Sequence, residues 1–268
     1  MTRQIQDAYI VAATRTAVGK APRGMYRNTR PDDLLPPRLR AALSQCPGVG
    51  AGEVEDVVVG CAMPEAEQGM NVARIGLLLA GFPDTVSGMT INRFCSSGMQ
   101  AVALAADRIR LGEADVMIAA GTESMSMVPM GGNKISYNPE IFQRDENVGI
   151  AFGMGVTAER VAMQWKISRE AQDMFAAESH RRALHATQAG EFRDEITPYP
   201  IQDRVPDLAT REVTMKSRLA SVDEGPRADT SPEGLARLKP VFAAQGSVTA
   251  GNSSQMSDGA GAVVLMSE

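Results

Sequence analysis

Over the first 121 residues the hydrophobic positions fall into short unbroken runs, separated by longer stretches with helical spacing. Tyr9-Ile10-Val11-Ala12-Ala13 and Val57-Val58-Val59-Gly60 read as buried strands, and Gly88 to Asn92 and Val116-Met117-Ile118-Ala119-Ala120 as two more. Between them, Asp32 to Ser44, Asn71 to Leu79 and Ser96 to Leu111 read as helices, the last closed by Gly112. Strands alternating with helices predict βαβ units and a largely parallel sheet, with ligands gathered near the carboxyl ends of its strands. The segment around Cys95 sits at such an end.

After Gly121 the texture changes. Residues 122–246 are rich in Met, Gly, Pro and charge, and the pattern predicts one amphipathic helix there, Arg169 to Ala189, with Ser168 as N-cap and Gly190 just past its end. Val248-Thr249-Ala250-Gly251-Asn252 and Ala260 to Met266 then return to the small, apolar character of the first part. The pattern predicts a domain formed by 1–121 with 247–268, interrupted by an inserted domain at 122–246.

The helix beginning at Ser96 has an unusual demand. From Met99 to Ala106 it carries a single polar residue, so it has no solvent face until Asp107 and Arg108. One sheet covers one face of a helix. The second cover must come from elsewhere in the chain or from a partner, and little apolar sequence remains to supply it, which points to a protein longer than these 268 residues.

Composition narrows the function classes. With 44% hydrophobic and 22% charged residues the chain has the makeup of a soluble globular protein with a sizeable core. Its formal net charge of −5 and lack of a Lys/Arg run argue against nucleic acid or an acidic membrane surface as partner. No apolar stretch reaches bilayer length, and Met1 to Asp7 is polar, unlike a secretory signal. The three cysteines, Cys46, Cys61 and Cys95, are odd in number and show no metal-ligand spacing, which argues for a reducing compartment, taken as the cytoplasm, and against disulfides or zinc.

Cys95 is the candidate nucleophile. A thiolate is the reactive form of cysteine, and a helix N-terminus supplies about half a positive charge and unsatisfied N–H donors that favour it. Ser96, Ser97 and Gly98 keep the first turn small enough for a bulky thioester to approach, and the Cys95 N–H can help hold an oxyanion. Cys46, before Pro47-Gly48, and Cys61, at a strand end, read as packing residues. The only histidines, His180 and His185, lie on the predicted insertion helix beside Arg181 and Arg182 and read as surface residues rather than as a base.

Four segments, in order, resemble the thiolase family: Ala13-Thr14-Arg15-Thr16-Ala17-Val18-Gly19; Asn92-Arg93-Phe94-Cys95-Ser96-Ser97-Gly98-Met99-Gln100-Ala101; Gly121-Thr122-Glu123-Ser124-Met125-Ser126; and Val248-Thr249-Ala250-Gly251-Asn252-Ser253-Ser254 with Asp258-Gly259-Ala260. The resemblance implies an α/β thiolase-like half, with a mixed, mostly parallel five-stranded sheet, helices on both faces and an inserted loop domain that binds coenzyme A. It implies a cysteine that takes the acyl group of a 3-ketoacyl-CoA as a thioester and passes it to a second CoA, or the reverse Claisen condensation. CoA is then a substrate, with no permanently bound cofactor and no metal, and a homodimer or tetramer is expected.

By the same resemblance, Met154, Arg227, Phe242, Ala250, Ser253, Ser254 and Met256 match positions that hold the adenine, phosphate and pantetheine parts of CoA. Arg227 suits that role, since a planar guanidinium both stacks and hydrogen-bonds. Two departures stand out. Gly153 occupies a place where thiolases for short acetoacetyl chains carry His, so the chain is more like the degradative members. The family's Gly-His-Pro, Asn-Glu-Ala-Phe and Cys-Gly-Gly motifs, which carry the activating His, the water-positioning Asn and the second Cys, do not occur in these residues.

The expected protein is therefore the amino-terminal catalytic half of an acetyl-CoA acyltransferase, without the groups that complete the cycle. The alternatives are a CoA or acyl-CoA binding module without turnover, and a ketoacyl synthase-type condensing enzyme, which would normally lack the insertion.

Overall fold

The computed structural model describes residues 5–268; Met1 to Gln4, the outer part of the polar start, lie outside the described residues. The chain gathers into two compact units. One comprises the chain up to Asn133, Phe192–Gly225 and Met256–Glu268, and the other Lys134–Glu191 and Pro226–Gln255. Among the described residues no helix is long and apolar enough to cross a membrane.

The first unit is built on strands β1 (Tyr9–Arg15), β2 (Gly19–Lys20), β3 (Asp56–Gly60), β4 (Ser87–Ile91) and β5 (Val116–Ser124), helices α1 (Pro31–Ser44), α2 (Val72–Leu79) and α3 (Ser97–Arg110), and the closing strand β8 (Ser257–Met266). Five strands form the sheet in the order β1-β8-β5-β3-β4, and the two-residue β2 pairs with β8. β3 runs parallel to β4 and β5, while β8 runs antiparallel to β5 and β1. Of the five main strands, β8 alone is reversed, which is the mixed, mostly parallel sheet expected, with helices on both faces.

Side chains of the central strands alternate between two cores, because successive residues of a strand point to opposite faces. Val57, Val59, Ile118, Ala120, Ala262 and Val264 pack with Leu35, Leu39 and Ala42 of α1 and Val72, Ala73 and Leu77 of α2. Val58, Met117, Ala119 and Leu265 pack instead with Ala101, Ala105 and Ile109 of α3. A strand buried on both faces reads as an unbroken apolar run, which is why β3 and β5 were legible as strands.

One expectation for this unit needs correction. β1 is an edge strand, not a buried one: Ile10 is 58% exposed, and Tyr9 and Val11 are also open. The apolar run there reflects β-propensity more than burial. The helix begun at Ser96 shows the single cover that the scarcity of further apolar sequence predicts. Its Ala101, Ala105 and Ile109 are buried, but Met99 is 78% exposed and Ala103 faces outward, so this chain supplies one cover and not the second.

The compact units also follow boundaries other than 121 and 247. Strands β6 (Tyr199–Pro206) and β7 (Val213–Ala220) form an antiparallel hairpin grouped with the first unit. Ile201 and Ala220 bury against Ala17, Met25, Tyr26 and Leu34, and the buried Arg38 donates from Nη1 to the Thr197 carbonyl at 2.7 Å. Arg15 adds a two-pronged pairing with Asp223, at 2.8 and 3.0 Å.

The second unit holds helices α4 (Met154–Gln164), α5 (Arg169–Ala189) and α6 (Pro232–Ala236). Its buried positions, Ala162, Asp173, Leu235, Val248 and Thr249, are too few and too small for a core of the kind in the first unit. α5 has the ends expected of it: the Ser168 hydroxyl accepts from the Ala171 N–H at 3.1 Å, and Gly190 closes the helix at φ +77°. Its inward stripe mixes apolar and polar side chains. Half-buried Gln172, Ala176, Ala177, His180, Ala183 and Leu184 line it with Asp173, while Met174 and Phe175 are largely exposed.

Candidate active site

Cys95 lies between β4 and α3, in a 3-10 turn spanning Phe94–Ser96. The α-helix proper starts two residues later, at Ser97. The turn is reached through a left-handed residue: Phe94 has φ +46°, a conformation that costs a non-glycine residue about 1 kcal/mol or more. Local bonds hold it. The Asn92 Oδ1 accepts from the Phe94 N–H at 2.8 Å, and the Asn92 Nδ2 donates to the Ala62 carbonyl at 3.0 Å. The Ser97 hydroxyl donates to the Phe94 carbonyl at 2.6 Å and accepts from the Arg93 N–H at 2.8 Å.

The turn also sets a limit on β3. A Cβ at Gly60 would stand 2.5 Å from the Ser97 carbonyl carbon and 2.7 Å from the Gly98 nitrogen, so only glycine lets α3 approach the strand this closely. Cys95 is exposed, as are Phe94 and Ser96 beside it, and a bulky reactant has access to the thiol. Among the described residues no hydrogen bond reaches the thiol, and the Cys95 backbone N–H has no acceptor. An N–H of that kind is the donor an oxyanion requires.

The other two thiols are held differently. Cys61 is 1% exposed within the α1/α2 core, and burial, with the charge of Glu123 adding to it, pushes its pKa up to about 12. Cys46 is half-buried, and burial raises its pKa as well. Both stay protonated, and so weakly nucleophilic, at neutral pH.

The residues matched to CoA contacts divide between the units. Met256 falls in the first, just before β8, where its carbonyl accepts from the Ala21 N–H at 3.0 Å. The remaining six fall in the second. Met154 opens α4, and the Phe242 ring lies on the next residue: a Cβ at Gly155 would come within 2.2 Å of the ring, which puts Phe242 on the first turn of α4. Arg227 is exposed and pairs with Asp229 at 2.7 Å, while its backbone N–H donates to the His180 Nδ1 at 3.1 Å. His180, read from the sequence as a surface residue rather than a base, serves as an anchor for the Arg227 loop.

Ala250, Ser253 and Ser254 sit on a turn fastened to α4 and α5. The Glu159 carboxylate accepts from the Ser247 N–H at 2.9 and 3.0 Å and from the Val248 N–H at 2.8 Å. Asn252 donates to the Asp173 Oδ1 at 2.9 Å, and Arg169 pairs with the same carboxylate at 2.8 Å. Sequence reasoning passed over Glu159, Asp173 and Asn252 as working residues. Their one signal was acidic and amide side chains inside helices and turns of small residues, where a buried polar group must find partners.

A profile described as "Thiolase, N-terminal domain" matches residues 8–268. The chain belongs to the thiolase family. Among curated relatives, it is 44% identical over 263 residues to a 3-ketoacyl-CoA thiolase of Bacillus subtilis, covering 98% of this chain and 66% of the relative. It is 46% identical over 260 residues to the peroxisomal 3-ketoacyl-CoA thiolase 1 of Arabidopsis thaliana, covering 97% and 57%. A crystal structure of the Bacillus anthracis acetyl-CoA acetyltransferase superposes with a TM-score of 0.84 at 39% identity, covering all of this chain and 67% of that one. This thiolase chain thus spans between 57 and 67% of the length of these three relatives.

Proposed function

We propose that this thiolase chain carries the acyl-accepting step of acyl transfer to coenzyme A, with Cys95 as nucleophile. In the thiolytic direction the Cys95 sulfur attacks the keto carbon of a 3-ketoacyl-CoA and the adjacent carbon–carbon bond breaks. The departing carbanion takes up a proton to leave as acetyl-CoA, and the acyl group remains on sulfur until a second CoA thiolate removes it. The observation that carries this reading is the exposed thiol on a strained, hydrogen-bonded turn ahead of α3, while the other two thiols are partly or wholly enclosed.

Met154, Arg227, Phe242, Ala250, Ser253, Ser254 and Met256 are proposed as the CoA contacts. In support, the Phe242 ring packs on Gly155 in the first turn of α4, the turn that Met154 opens, and the loop bearing Ala250, Ser253 and Ser254 is fastened to α4 and α5 by Glu159 and Asp173. A homodimer or tetramer and a cytoplasmic setting, the latter suited to three free thiols, belong to the same proposal.

Incubation of the chain with excess acyl-CoA, followed by peptide mass spectrometry, tests it. The expected result is an acyl adduct on the Cys95 peptide that hydroxylamine removes and Cys95→Ser abolishes. No adduct on Cys95, or one that persists in Cys95→Ser, overturns the reading. Calorimetry showing CoA binding in the absence of any adduct would instead favour a binding module without transfer.

A further inference from the structure

We infer that Ser97 is a positioning residue for Cys95, its buried hydroxyl clamping the left-handed turn at Phe94 that presents the thiol; the inference rests on the reading of Cys95 as acyl acceptor. Ser97 is 3% exposed, whereas its neighbours on both sides, Ser96 and Gly98, are open. A hydroxyl offers one donor and two acceptor sites. Ser97 uses the donor on the Phe94 carbonyl, at 2.6 Å, and an acceptor site on the Arg93 N–H, at 2.8 Å. It thereby ties down the backbone of the strained residue and of the residue before it.

A Phe at φ +46° relaxes toward the right-handed or extended regions once the bonds that hold it are lost. Relaxation there rotates the next residue, which is Cys95. The turn leaves no slack on the other side, because Gly60 already touches the backbone at Ser97 and Gly98. Asn92 acts on the same turn from its exposed side, through the Phe94 N–H. The clamp thus decides where the thiol stands relative to the N-terminal end of α3, whose dipole favours a thiolate.

Iodoacetamide labelling of the full chain, with the rates at Cys95 and Cys46 followed in the same sample by peptide mass spectrometry, tests the clamp. Cys46 serves as the internal control, since general loosening speeds its labelling. Ser97→Ala is expected to lower the Cys95 to Cys46 rate ratio at least about fivefold, the worth of one of the two ordinary hydrogen bonds it loses. Ser97→Thr, which keeps the hydroxyl, is expected to hold the ratio within about twofold of the original.

An unchanged ratio in Ser97→Ala overturns the inference, and so does an equal loss in Ser97→Thr, which would assign the effect to packing. Should Ser97→Ala not fold, Asn92→Ala leaves the core untouched and removes the two bonds that hold the turn from its exposed side, to the Phe94 N–H and the Ala62 carbonyl; a lowered ratio supports the clamp and an unchanged one overturns it. Cys95 labelling no faster than Cys46 in the unaltered chain would instead remove the underlying reading of Cys95, before any variant is compared.

Discussion

The two faces of the sheet in the first unit are built to different degrees of closure. Toward α1 and α2, Val57, Val59, Ile118, Ala120, Ala262 and Val264 are all buried, and Cys61 is enclosed with them. Toward α3, the helix covers Val58, Met117, Ala119 and Leu265. Beyond it, Ala13, Gly98, Val102, Gly261 and Val263 line a shallow apolar groove of about 360 Å³. The same residue type has opposite chemistry on the two sides: enclosure keeps Cys61 protonated, and openness leaves Cys95 reachable. Cysteine reactivity here is decided by packing and turn geometry, and residue type alone says little about it.

The largest effect expected from this contrast is on stability. Leu39→Ala, emptying a site at 0% exposure on the closed face, should cost roughly 2–5 kcal/mol. At about 2–4 °C per kcal/mol for a chain of this size, thermal unfolding should come roughly 4–20 °C lower. A shift under about 2 °C would break the distinction between the faces.

Alkaline titration gives the next effect. Burial raises the Cys61 and Tyr26 pKa values to about 12 in the folded chain. The unfolded chain therefore loses these protons first as pH rises. The stability they contribute is fully present below about pH 9 and is lost progressively toward pH 12, at up to about 1.4 kcal/mol per group per pH unit. The melting temperature should fall over that range, and Cys61→Ala should make the fall shallower. A slope identical with and without Cys61 would contradict the closure of that face.

The smallest effect belongs to the open face. Met99→Ala removes a side chain that is 78% exposed and should change stability by no more than about 0.5 kcal/mol. A denaturant midpoint displaced as far as that of Leu39→Ala would mean that Met99 is covered in solution.

Much of this architecture was legible along the chain. The runs at 57–60 and 116–120 gave themselves away by being apolar at every position, and α5 by its serine cap and closing glycine. β1 misled because an edge strand can carry the same Val/Ile/Tyr character as a central one. The hairpin of β6 and β7 went unread because Gln202-Asp203-Arg204 and Lys216-Ser217-Arg218 give it polar strands anchored by only a few buried residues. On α5 Asp173, His180 and alanines turn inward while Met174 and Phe175 stay exposed, and the polar partners there are a backbone N–H and an amide.

The candidate site divides in the same way. Cys95 stood out through its small neighbours and its place after a strand, both visible in residue order. The left-handed Phe94 and the double use of the Ser97 hydroxyl depend on backbone angles and on the approach of Gly60 from a strand more than thirty positions earlier. No local pattern encodes that approach.

The most direct test of the account is a competition among the three thiols of the folded chain under limiting iodoacetamide at neutral pH. The account predicts that Cys95 labels first, Cys46 well behind it, and Cys61 only on unfolding. Equal labelling of all three, or Cys46 ahead of Cys95, would contradict it.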